Sequence, residues 1–73
     1  MENALWYFTF GLDHPFSSFI LPIRGSYGAA REVMESAFGY HWANQYTETD
    51  GQHLIDKYHY RVLPELSAES DAQ

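Results

Sequence analysis

The chain has 73 residues, no cysteine and a formal net charge of −6. That length makes one domain, and without cysteine there is no disulfide framework, thiolate metal site or cysteine nucleophile. The negative balance argues against direct nucleic-acid binding, which needs clustered Lys and Arg to displace counterions, and no apolar run approaches the ~18 residues of a membrane span.

Ala4 to Phe10 reads as a strand. Trp6, Phe8 and Phe10 alternate with Leu5, Tyr7 and Thr9, and the apolar character of both faces predicts a central strand covered on both sides. Gly11 to Pro15 reads as a turn. Phe16 to Ile23 reads as a second strand, with Phe19, Leu21 and Ile23 on one face; Pro22, which has no N–H to give, places it at an edge or marks its end. Ser26 to Phe38 is the expected helix. Ser26 suits the N-cap, Ala30, Met34, Ala37 and Phe38 form the stripe to be buried, and Gly39 suits a left-handed C-cap. Tyr40 to Thr47 reads as a third strand, Asp50-Gly51 within Glu48 to Gln52 as a hairpin turn, and Leu54 to Leu63 as a fourth strand with Tyr58, Tyr60 and Val62 on one side. The expected fold is α+β, in the order ββαββ: an antiparallel sheet with one helix packed on one face.

Residues 1–63 form the expected domain; Pro64 ends the fourth strand, and 64–73 form an acidic, flexible tail. Half of the excess charge falls in that tail, since Glu65, Glu69 and Asp71 give −3 and seven acids with four bases give −3 in residues 1–63. The lack of cysteine points to a reducing compartment, and the first residues carry no basic stretch leading into an apolar one, so a cytoplasmic protein is expected. The large aromatic share, 18% of residues, gives a chain of this size the rings it needs. A domain this small buries only roughly 60% of its unfolded surface.

The chemistry-bearing residues favour binding over catalysis. His14, His41, His53 and His59 lack the short local spacing of zinc ligands, so no metal and no cofactor is expected. Asp13 and His14 lie close to Ser17 and Ser18, but no glycine-rich elbow or oxyanion hole accompanies them, so no catalytic residue is assigned. The run Arg24-Gly25-Ser26-Tyr27-Gly28 precedes the helix without phosphate-loop spacing and reads as a turn plus an N-cap. Carboxylates Glu32 and Glu35 on the helix and Glu48 and Asp50 at the turn suit a basic protein surface. Tyr58 and Tyr60 would be surface rings, of the kind favoured at protein interfaces. These six are the expected partner-binding residues, in a monomer or homodimer.

The segments Trp6-Tyr7-Phe8-Thr9-Phe10-Gly11, Ser26 through Ala30-Arg31-Glu32-Val33-Met34, Phe38-Gly39 and Trp42-Ala43-Asn44-Gln45-Tyr46 resemble, in order and spacing, a group of short phage- and prophage-encoded proteins. The resemblance covers roughly residues 6–47, departs from the pattern at Ala29, where many members carry Glu, and does not extend past Thr47. It implies a phage context and the host cytoplasm, and by analogy of size and charge an anti-CRISPR-like inhibitor. Such an inhibitor binds a host CRISPR-Cas surveillance complex and keeps target DNA away. The alternative is a phage accessory or structural module that self-associates through an aromatic sheet surface.

Overall fold

The computed structural model describes residues 4–11, 13–39 and 41–68. Leu12 of the expected first turn, Tyr40 at the expected start of the third strand, and residues 69–73 of the expected tail lie outside the described residues. The elements are β1 (Ala4–Thr9), β2 (Phe19–Gly25), α1 (Tyr27–Phe38), β3 (Asn44–Thr47), α2 (Glu48–Tyr58), β4 (Arg61–Val62) and β5 (Leu66–Ser67). The fold is α+β, but the sheet is mixed and the described residues form two helices, not one. Its order is β3-β1-β2-β4, with β5 also pairing with β2.

Both helices follow from chain direction. β1 is antiparallel to β2 and to β3, so β2 and β3 run parallel, and β4 runs parallel to β2. Each parallel step needs a crossover, and α1 and α2 provide the two. The β2–α1–β3 connection travels one way along the sheet and β3–α2–β4 travels back. Two crossovers of the same hand that travel in opposite directions lie on opposite faces. The core divides accordingly. Phe8, Phe10, Leu21 and Ile23 pack with Ala30 and Met34 of α1, while Leu5, Tyr7 and Ile20 pack with Ile55 of α2. β1, predicted to be central and covered twice, is both.

Helix α1 matches its sequence signals. Ser26 Oγ accepts from the Ala29 amide at 3.1 Å, and the Gly39 N–H, at φ 62°, closes the helix on the Glu35 carbonyl. Ala30 and Met34 are fully buried and Phe38 is half-buried, but Ala37 is exposed, and Val33 packs on the core in its place.

The expected Asp50-Gly51 hairpin and the strand from Leu54 are replaced by α2. Thr47 Oγ1 accepts from the Asp50 amide at 3.3 Å as an N-cap. Glu48 and Asp50 then stand in the first turn and Lys57 in the last, where each complements the helix dipole. Gly51, Leu54, Ile55 and Tyr58 repeat at helical spacing, and Gly51 is buried because the ring of Tyr7 fills the space a Cβ would need. His59 ends the helix in the left-handed region, at φ 58° and ψ 42°.

Pro22 is not at an edge. β2 has β1 on one side and β4 and β5 on the other, and Pro22 pairs with Tyr7. The carbonyls of Ser18, Ile20 and Arg24 accept from Arg61, Leu63 and Ala68, so alternate β2 residues face β4 and β5. Pro22 belongs to that set and falls between the Phe19–Ile20 and Ile23–Arg24 pairings, where no ladder donor is required. Past residue 63 the chain pairs with β2 a second time. Leu66–Ser67 is a strand, Ala68 packs on the core, and Arg24 Nε meets the Glu65 carboxylate at 2.9 Å, so the fold continues through Ala68.

Candidate functional site

The six expected partner-binding residues fall on different parts of the molecule. Glu32 and Glu35 stand exposed on α1, on one face of the sheet; Glu48 and Asp50 stand exposed in the first turn of α2, on the other. One flat partner surface cannot meet both pairs. Glu35 is also partly neutralised, its carboxylate lying 3.8 Å from Arg31 Nε. Tyr58 and Tyr60 do not share a strand. Tyr58 closes α2 and is 57% exposed, with the Lys57 ammonium 5.4 Å from its ring centre. Tyr60 is half-buried and packs on Leu5, Tyr7 and Ile20, and the two tyrosine rings meet edge-on at 6.1 Å.

The outer face of α2 carries exposed Glu48, Asp50 and Asp56. Glu48, Gln52 and Asp56, spaced four apart, line a shallow depression of about 440 Å³ with Thr49 and His53. Asp50, His53, Leu54 and Lys57 border a second depression, of about 340 Å³, against Tyr46. Among the described residues Glu48, Asp50 and Asp56 enter no ion pair, whereas Glu65 is held by Arg24. The Arg24 guanidinium is raised above its ordinary pKa, first by its hydrogen bond to Glu65, then by the charge of that carboxylate, with a smaller push from Glu48. The helix is anchored by Gln52 Nε2, which donates to the buried Tyr7 hydroxyl at 2.7 Å.

A second constellation was not foreseen from the sequence. Tyr27, Arg31 and Glu35 of α1, one turn apart, face Trp42, Ala43, Asn44 and Gln45 across a polar cleft of about 310 Å³. The Arg31 guanidinium lies 4.9 Å from the Trp42 ring centre, and its Nη1 is 3.3 Å from both Tyr27 Oη and Gln45 Oε1. The i, i+4 spacing of Tyr27, Arg31 and Glu35 was legible, but the course of residues 41–43 that brings Trp42 over Arg31 was not.

The histidines do not gather. Among the described residues no three His, Cys, Asp or Glu side chains come together around one point. His14 stacks with Phe10 and Phe16, and its Nδ1 accepts from the Phe16 amide at 3.0 Å, so that nitrogen does not serve Ser17 or Ser18. No helix among the described residues is long and apolar enough to cross a membrane. Comparison of the chain with protein-family profiles, curated proteins and solved structures finds no significant match.

Proposed function

We propose that the chain is a non-catalytic binding module whose α2 face docks on a basic protein surface. The observation that carries this is the group of exposed carboxylates Glu48, Asp50 and Asp56, none of them paired among the described residues, on a helix fixed to the core by Gln52 and Gly51. Charge-assisted hydrogen bonds from partner Arg and Lys are short and strong, and opposed potentials raise the rate of encounter. The phage-like sequence pattern makes a crRNA-guided surveillance complex in the host cytoplasm the partner to test first. There an acidic module would cover a basic surface that target DNA needs, as an anti-CRISPR-like inhibitor does. The α1 carboxylates leave this interface, and Tyr58 borders it at the helix end.

The test is capture of a purified surveillance complex on the immobilised chain at low and high salt. Capture at low salt that weakens at high salt is expected, because screening grows as the Debye length falls. The combined variant Glu48→Gln, Asp50→Asn and Asp56→Lys should bind at least ~10-fold more weakly, since each hydrogen bond to a charged group contributes about 1.5–3 kcal/mol. Glu32→Lys with Glu35→Lys should bind as before. Failure to capture the complex removes that partner; capture unaffected by the α2 variant removes the α2 surface.

A second reading, self-association through aromatic surface, draws on Phe16. This ring is 38% exposed at the rim of a cluster with Phe10, Phe19 and Phe38. Light scattering tests it: a monomer mass that holds as concentration rises retires this reading.

A further inference from the structure

We infer that the cleft between α1 and the edge strand β3 recognises a carboxylate, carried by an extended acidic segment of a protein partner that pairs with β3. This inference is independent of the α2 surface, which lies on the opposite face of the sheet.

The guanidinium of Arg31 is oriented before any ligand arrives. It stacks on Trp42 at 4.9 Å and lies 5.9 Å from the Tyr27 ring centre, while its Nη1 donates to Tyr27 Oη and Gln45 Oε1. Its neighbours are held in turn. Gln45 Nε2 donates to the Tyr27 carbonyl at 3.2 Å, and Trp42 Nε1 donates to the Gly39 carbonyl at 3.2 Å. The hydrogen-bonding edge of Arg31 is nonetheless incomplete. Nε faces Glu35 at 3.8 Å, beyond hydrogen-bond range, and Nη2 has no partner among the described residues. Its side chain is 44% exposed. A planar guanidinium fixed by stacking, with donors to spare, matches the two oxygens of a carboxylate. Glu35 selects among anions: a phosphate dianion beside its carboxylate meets more repulsion than a monoanion does.

The position of the cleft supplies the rest of the ligand. Asn44 and Gln45 line it and begin β3, the end strand of the sheet. Among the described residues no strand covers the outer side of β3, so its main chain is open to an added strand. Side chains of that strand alternate between faces. Gln45, paired with Phe8, points to the α1 face, and an acidic residue beside it on the added strand would lie over Arg31.

The experiment is an NMR titration of the ¹⁵N-labelled full chain with three probes: a capped Thr-Val-Glu-Val-Thr peptide, its counterpart with Gln for Glu, and inorganic phosphate. The Glu peptide should shift the Trp42 indole N–H, the Arg31 Nε–H and the amides of residues 44–47, leaving those of α2 in place. The Gln peptide should bind at least ~10-fold more weakly, as expected when a charge-assisted pair is lost. Arg31→Gln should abolish the response and Arg31→Lys restore part of it, with each variant's own spectrum reporting its fold. No response to the Glu peptide, an equal response to the Gln peptide, a response to phosphate alone, or a dimer paired through β3 in light scattering would each overturn the assignment. The α2 charge variant should leave the titration unchanged, so the outcome here is separable from that of the α2 docking test.

Discussion

Two glycines in helical positions should respond in opposite ways to the same substitution. Glycine in a helix ordinarily costs about 0.5–1 kcal/mol relative to alanine, through backbone entropy. Gly28, in the first turn of α1, has open space around the position a Cβ would take, so Gly28→Ala should stabilise by about that amount. For a domain of this size that raises Tm by roughly 2–8 °C. Gly51, in α2, faces the ring of Tyr7 where a Cβ would go. Tyr7 is fixed there, buried between strands and held by Gln52. Gly51→Ala should therefore lower stability by about 1–3 kcal/mol, the usual cost of overpacking a core. Thermal melts of both variants followed by circular dichroism check the pair, and a stabilised Gly51→Ala would mean that α2 stands away from β1. The same contact explains a misreading. Next to Asp50, Gly51 resembles hairpin chemistry, but it is the steric cost of approaching Tyr7, not a turn, that requires glycine there, and only the tertiary fold reveals this.

At the scale of elements, the parts legible in the sequence are those whose local signals agree with their packing. β1 is apolar on both faces because both are covered, and α1 carries a cap at each end. α2 had a legible start as well: Thr47 stands three residues before Asp50, and an apolar stripe at helical spacing follows. The tyrosine alternation from Tyr58 to Val62 competed with that reading, but it straddles the helix end at His59, so it belongs to no single element. β4 and β5, two residues each, are too short to carry any period, and their parallel pairing depends entirely on where α2 returns the chain. The importance of the Thr47 cap can be measured. Thr47→Ala should cost about 1 kcal/mol, as loss of an N-cap does, and Ser26→Ala about the same at α1. Urea unfolding gives both numbers. An effect at Ser26 with none at Thr47 would show that Tyr7 and Gln52 alone define the start of α2.

At the scale of the whole molecule, the two crossovers set different chemistry on the two faces of the sheet. α2 places its unpaired acids on one face, while the other presents Arg31 in an aromatic cleft, so net charge alone described neither. The same topology leaves β2 to be completed by the last described residues. Ile23 is fully buried, and among the described residues its outer pairing is with β5 alone. The Ala68 amide donates to the Arg24 carbonyl at 2.8 Å, and Ala68 packs on the same core cluster as Val33 of α1. A chain ending at Pro64 should therefore unfold at lower urea, with a loss of about 1–3 kcal/mol. Net contributions of about 0.5–1.5 kcal/mol per hydrogen bond and the exposure of apolar side chains around Ile23 together set that range. Arg24→Gln separates backbone pairing from charge, because an exposed ion pair is screened by solvent and contributes little. Its midpoint should move much less than that of the shortened chain. Equal losses in the two variants would mean that the Arg24–Glu65 contact holds the segment; no loss in the shortened chain would mean that β2 is stable with its outer edge bare beyond Ile20.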